Sequence, residues 1–260
     1  MNKLLLAAVG VITIGLSVPA SAADLAARPY TKAPAMYAAA YDWSGFYIGI
    51  NGGGGSAHHC WDLIVPAGSI PQGCHNSTGG TVGGQIGYRW QAAAWVFGIE
   101  AQGNWANLTG SNNSTQPFFA LSNLANRTKI DAIGLFTGQI GYAWNSFLLY
   151  VKGGAAVTND KYDTYVFAAQ PGVPAGQAFT RGSETRWGGV VGVGGEYAFT
   201  RNWSFALEYD HLFMGDSTVR MTNDPFFIAQ LSHNTSIRQD VDMVTARINY
   251  RFGGPVVAKY

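Results

Sequence analysis

The sequence predicts an all-β fold, an eight-stranded antiparallel up-and-down transmembrane β-barrel, and three observations predict it. A phrase ending in aromatics recurs along the chain, as GQIGYRW from Gly84, GQIGYAW from Gly138 and, more loosely, GVGGEYAF from Gly192. Each copy lies in a stretch where apolar residues alternate with small or polar ones, which is the period of a strand. Charged residues make up only 12% of the chain, while glycine, tryptophan and tyrosine are abundant; about 25% charge is usual. Beyond the N-terminus nothing offers the ~18 uninterrupted apolar residues that a membrane helix needs.

The N-terminus carries its own signal. Lys3 is a positive n-region, Leu4 to Val18 an apolar h-region, and Ala20-Ser21-Ala22 a small-residue cleavage site. Residues 1–22 therefore read as a secretory signal peptide. Removing Lys3 with it leaves 15 basic against 15 acidic residues, a balance that gives nucleic acid no reason to bind. Residues 23–41 are rich in Pro and Ala, have no period, and read as a flexible periplasmic segment. The barrel is expected over 42–260.

The strands follow in order. DWSGFYIGINGGGG, from Asp42, sets Phe46, Ile48 and Ile50 against Tyr47, Gly49 and Asn51. The first hairpin sets Ile86, Tyr88 and Trp90 against Gln85, Gly87 and Arg89. It turns through QAAA, then sets Trp95, Phe97 and Ile99 against Val96, Glu100 and Gln102. The second sets Ala132, Phe136, Ile140, Tyr142 and Trp144 against Asp131, Thr137 and Gln139. It turns at Asn145-Ser146 and returns with Phe147, Leu149 and Val151 opposite Tyr150 and Lys152. The third sets Val191, Val193, Tyr197 and Phe199 against Gly192, Gly194 and Glu196. It turns at Thr200-Arg201-Asn202 and returns with Trp203, Phe205, Leu207 and Tyr209 opposite Ser204, Ala206, Glu208 and Asp210. The last strand sets Val244, Ala246, Ile248, Tyr250 and Phe252 against Thr245, Arg247, Asn249 and Arg251. First and last strands must pair, because an open edge in lipid leaves amides unsatisfied.

Two faces then acquire roles. Tyr88, Trp90, Trp95, Tyr142, Trp144, Phe147, Tyr197, Phe199 and Trp203 sit at the tight-turn ends and form an aromatic girdle at one interface. Arg89, Glu100, Asp131, Lys152, Glu196, Glu208, Asp210, Arg247 and Arg251 face inward as a lumen charge network. An eight-stranded lumen is just wide enough for side chains to fill, and unpaired charges there cost several kcal/mol. That predicts a salt-bridged plug. The alternative is a narrow pore for ions or very small solutes, in the room left by inward Gly83, Gly87, Gly98, Gly188, Gly192 and Gly194. The polar connections 56–78, 107–127, 159–183 and 216–237 are expected as four extracellular loops.

Cys60 and Cys74 lie in the first of these, in an oxidising compartment, and predict one disulfide. His58, His59 and His75 flank it, and imidazole binds haem iron and several divalent ions. The plainer reading is an exposed loop with incidental histidines, with neither a metal site nor a cofactor. His211 next to Asp210, with Ser217 near, invites a hydrolase reading. Ser217 lies beyond the strand and no G-x-S-x-G elbow exists, so His211 is read as an interfacial residue and the chain as no enzyme. GINGGGG lacks a following GK[ST] and reads as glycines at a crowded barrel rim.

At DWSGFYIGINGGGG and the closing NYRF, and in the repeated GQIGY, the chain resembles the small outer-membrane β-barrels of the OmpA-like and opacity-type superfamily. More narrowly, it resembles the major outer-membrane proteins of rhizobia and their relatives. The resemblance covers Tyr41 to Tyr260. It implies a surface protein of a Gram-negative outer membrane, of a kind described as porin-like, haem-binding or immunogenic. The partners it implies are outer-membrane lipid and lipopolysaccharide, the barrel assembly machinery reading Phe252 or Tyr260, and host or environmental ligands at the loops. The expected role is structural and surface-facing; a narrow porin and loop-borne haem or ligand binding are the alternatives.

Overall fold

The computed structural model describes residues 41–114, 123–226 and 232–252. The signal peptide, nearly all of the Pro/Ala-rich segment and Tyr260 lie outside the described residues. Among the described residues eight strands follow in order: β1 (Gly45–Val65), β2 (Gly68–Ala92), β3 (Trp95–Asn113), β4 (Leu124–Trp144), β5 (Phe147–Val166), β6 (Ala178–Ala198), β7 (Trp203–Asn223) and β8 (His233–Phe252). Each pairs antiparallel with its sequence neighbours, and β1 pairs with β8, from Phe46↔Phe252 to Leu63↔Thr235, to close the barrel. No strand edge is left to lipid.

The outward apolar face forms a band. It starts at the expected girdle, whose nine aromatics are all exposed, and runs up to Trp105 on β3, Trp187 on β6 and Phe213 on β7. From Trp95 to Trp105, ten strand steps at a ~40° tilt rise about 25 Å, the height of an outer-membrane apolar belt. Girdle neighbours also touch across strands, as in Trp95–Tyr142 with ring centroids 5.5 Å apart and Trp203–Tyr250 at 5.0 Å.

The strands do not stop at the top of that band. They run 19 residues in β3 and 25 in β2, where about 10 suffice to cross. The segments expected as long loops are therefore mostly strand. Ser56↔Thr78 to Val65↔Gly68 is one continuous ladder broken by a single bulge, and Arg127↔Asp163 and Lys129↔Lys161 continue β4–β5. The physical reason is that backbone pairing does not depend on lipid. Above the membrane the outward face turns to Asn, Ser, Thr and charge, and the inward face mixes Trp61, Tyr162 and Ile237 with His, Thr and Gln, so the outward apolar alternation that marks a strand vanishes while its hydrogen bonds persist. GINGGGG likewise lies within β1 and not at a rim.

Bulges interrupt the ladders near this transition, between Trp105 and Leu108, Ile130 and Ala132, and Phe213 and Gly215. Each inserts residues on one strand and re-aims the side chains beyond it.

Candidate functional site

The lumen gathers the inward polar residues and is built in layers. The floor, at the tight-turn end, is made by residues just ahead of β1. Trp43 is buried against Val96, Ala143, Leu148, Tyr150 and Ala198. Its indole Nε1 donates to the Asn145 carbonyl at 3.2 Å, and its backbone N–H donates to Gln91 Oε1 at 2.8 Å. The Tyr41 hydroxyl donates to the Arg201 carbonyl at 3.2 Å. Arg251 donates to the carbonyls of Ser44 at 3.0 Å, Arg201 at 2.7 Å and Asp42, with its guanidinium 4.6 Å from the Tyr41 ring. The sequence reading did not find Trp43 as a lid. Its one signal was a tryptophan falling out of the alternation that starts at Gly45.

Above the floor lies the charge layer. Arg247 meets Glu100 and Glu208 at 2.6 Å each. Lys152 meets Glu208 at 2.5 Å and Asp210 at 3.1 Å. Arg89 pairs with Glu196 at 2.8 Å and stacks 4.5 Å from the Tyr47 ring. Tyr47 and Tyr150 donate to Glu100 at 2.6 Å and Glu208 at 2.8 Å. Every one of these side chains is buried. Ions taken out of water are tolerable only when several partners answer them, and Glu100 and Glu208 each have two cations and a phenol.

Two inward glycines explain how so much fits. A Cβ on Gly87 would lie 2.5 Å from the Tyr47 ring, and one on Gly194 would lie 2.4 Å from the Tyr150 ring. The room expected to hold water holds aromatic rings instead. Amides tie the layer to its neighbours through Asn104 to Asn51, Asn51 to Gln85 and Gln85 to Asn249, at 2.5 to 2.7 Å.

An apolar layer comes next. Ala57, Leu108, Ile130, Ile133, Leu135, Ala156, Val190, Leu212, Met214, Val241 and Met243 form one buried cluster, with members on every strand except β2. Beyond it a polar layer holds His59, His75, Asp160, Arg186 and Gln239, all buried. Trp61, Tyr162, Val219, Met221 and Ile237 pack above as a further apolar cluster. Small cavities remain, about 10 Å³ beside Arg89 and Glu196 and about 20 Å³ beside Gln72, Leu124 and His233, room for about one water each.

Two expectations change here, the place of Asp131 and that of the histidines. Asp131 is not in the lumen. The bulge between Ile130 and Ala132 carries it to the outer surface, where it meets Lys129 at 2.9 Å and Lys161 at 2.5 Å. The three histidines do not converge, because strand alternation puts His58 outside and His59 and His75 inside. His58 Nδ1 meets Asn76 Oδ1 at 2.7 Å, whereas the His59 and His75 rings face each other at 5.4 Å. Burial lowers the pKa of both inward imidazoles, that of His59 to about 3, so they are neutral and poor magnets for an anion. Cys60 and Cys74 are directly cross-strand and joined, which withdraws both thiols from metal binding. His211 lies outside with its Nδ1 2.7 Å from Asp242 Oδ1, while the Ser217 hydroxyl donates to Glu184, so the pair share no carboxylate.

Comparison with known proteins places this geometry. A family model described as an outer membrane protein beta-barrel domain matches residues 8–252. The 31 kDa outer-membrane immunogenic protein of Brucella melitensis is 28% identical over 97% of this chain and 100% of its own length. The 22 kDa outer membrane protein of Rhizobium leguminosarum is 27% identical over 64% of this chain and 62% of its own. Among solved structures, the outer membrane protease OmpT of Escherichia coli aligns with 80% of this chain and 97% of that one, at 10% identity and a TM-score of 0.49.

Proposed function

The chain belongs to the outer-membrane β-barrel family and resides in the outer membrane of a Gram-negative bacterium, and from that premise we propose that it is a closed structural barrel with a surface-facing role and no through-channel. The observation that carries this is the apolar layer. Leu108, Ile133, Leu135, Leu212 and Val241 meet across the lumen above an ion network in which every cation meets at least one carboxylate. An ion crossing it would shed its hydration against hydrocarbon, at a cost of several kcal/mol.

The surface role rests on the extramembrane half of the strands. These present Asn, Ser, Thr and charged side chains on a rigid sheet, stapled at Cys60–Cys74. The name of the Brucella relative, an outer-membrane immunogenic protein, is in keeping with a surface-facing role. Planar-bilayer recording of the folded protein is the test, with insertion verified independently. A silent bilayer is expected. Discrete openings that change when Glu208 or Arg247 is neutralised would replace this reading with a narrow porin.

A further inference from the structure

Midway between the apolar band and the extramembrane sheet, on the outer surface of β3–β6, lies a groove of about 490 Å³. Gly103 leaves its floor open, Val157 leans over Gly134, Trp105 forms a wall, and Asn159 and Thr185 stand at its upper end. Trp105 is 76% exposed, far more than a ring packed on its own sheet. The groove sits at the top of the 25 Å apolar belt, so it faces the outer leaflet at the depth where acyl chains meet headgroups.

Cations stand immediately above. Ala132 pairs with Asn159, and just beyond the bulge Lys129 pairs with Lys161, with Arg127 opposite Asp163 in the next outward row. Like charges directly opposite on a sheet destabilise it. Lys129 and Lys161 are directly opposed in register yet both lean on one carboxylate, Asp131, at 2.9 and 2.5 Å. Arg127 is held by Asp163 at 3.0 Å. Three cations against two carboxylates leave this rim positive. An ammonium has three donors, so each lysine keeps donors free after meeting Asp131, and both side chains are about half exposed.

We propose that this groove and rim form a binding site for a phosphorylated, acylated glycolipid of the outer leaflet. An acyl chain lies in the Gly103–Gly134 groove against Trp105, and a headgroup phosphate sits on Lys129 and Lys161. The proposal shares with the functional reading only the membrane orientation, not the closed lumen. Charge complementarity selects this occupant. A neutral-headgroup lipid would use the groove and leave the lysines idle, and a soluble anion would use the lysines and leave Trp105 bare. Asp131 keeps two ammoniums together in the empty site and competes with the phosphate in the filled one.

The test is native mass spectrometry of the folded full chain in detergent, with chelator present so that no divalent ion bridges. The probes are bis-phosphorylated lipid A, the same lipid with its phosphates removed, and inorganic pyrophosphate. Lipid A is expected to bind at least tenfold more tightly than its dephosphorylated form. Lys129→Ala with Lys161→Ala is expected to weaken it by roughly tenfold or more, at about 1 kcal/mol per surface cation. Asp131→Asn, which leaves the lysines in place, is expected to strengthen it severalfold. Gly103→Leu fills the groove where an added Cβ meets nothing within 4 Å, so it is expected to fold and to weaken lipid A binding with the lysines intact. Equal binding by the lysine variant or by Gly103→Leu, equal binding of the dephosphorylated lipid, or displacement of lipid A by pyrophosphate alone would each overturn the proposal. Folding of every variant is checked by heat-dependent gel migration. Should the lysine pair fail that check, Asp131→Asn and Gly103→Leu decide alone.

Discussion

His59 puts an imidazole in the extramembrane lumen where neither ring nitrogen meets a partner. Burial holds it neutral, with a pKa near 3 in the fold against 6.5 ordinarily. The depressed value means that the unfolded chain binds a proton over that window and the folded chain does not. Stability is therefore whole above pH 6.5 and falls as pH drops toward 3, by about 2 kcal/mol at pH 5 from this residue. Proteolysis of the extramembrane strands should accelerate between pH 7 and pH 5, and His59→Leu should reduce that acceleration, with buried His75 carrying part of the rest. An unchanged pH dependence in the variant would assign it to other groups. His59 was legible as a histidine beside a cysteine, but its inward direction was not. That direction depends on the strand continuing past Ser56, and nothing in HHCWD shows apolar alternation.

At the scale of the element, the hairpin ends at the girdle were readable and the far ends were not. The turn between β2 and β3 places Ala93 at φ 56°, and the turn between β4 and β5 places Asn145 at φ 55°. Asn tolerates the left-handed region and Ala does not. Ala93→Asn should stabilise the barrel by about 1 kcal/mol; a urea-unfolding midpoint at or below that of the native sequence would contradict this. Such turns stood out because aromatics and a strict alternation bracket them, and lipid enforces both. Beyond Trp105 and Phe213 lipid no longer sorts residues by face, so β1 to β8 read as polar loops although their ladders continue. Asp131 was misplaced for a related reason. Counting by twos from Phe136 assigns it inward, and one inserted residue at a bulge reverses the count.

Across the whole molecule the charge layer works as a set of cross-braces. Arg247 on β8 joins Glu100 on β3 to Glu208 on β7, and Lys152 on β5 meets the latter. Arg247→Met would leave two buried carboxylates short of a cation, and should cost about 3–5 kcal/mol in urea unfolding. A loss under ~1 kcal/mol would show that water or a rearranged Lys152 can replace it. The inward direction of these charges follows from alternation, apart from Asp131, which lies outside, and Arg251, which joins the floor and not the charge layer. The apolar layer could not be read that way, since Leu108, Ile133 and Leu212 are inward leucines and isoleucines in a sequence where apolar residues are expected to face lipid.

Trp43 and Tyr41 touch all three tight turns, through Gln91, Asn145 and Arg201, and Arg251 from the last strand lies on the Tyr41 ring. They precede β1 in the chain, yet their partners lie 48 to 160 residues later. Contacts that distant close late. Residues made before any strand are thus the last to settle, and the floor becomes a clasp that fastens only on a finished barrel. A chain missing the first or second hairpin would leave Trp43 without one of its two anchors, Gln91 or Asn145, and one missing the third would leave the Tyr41 hydroxyl without Arg201, so an unfastened floor marks an incomplete barrel.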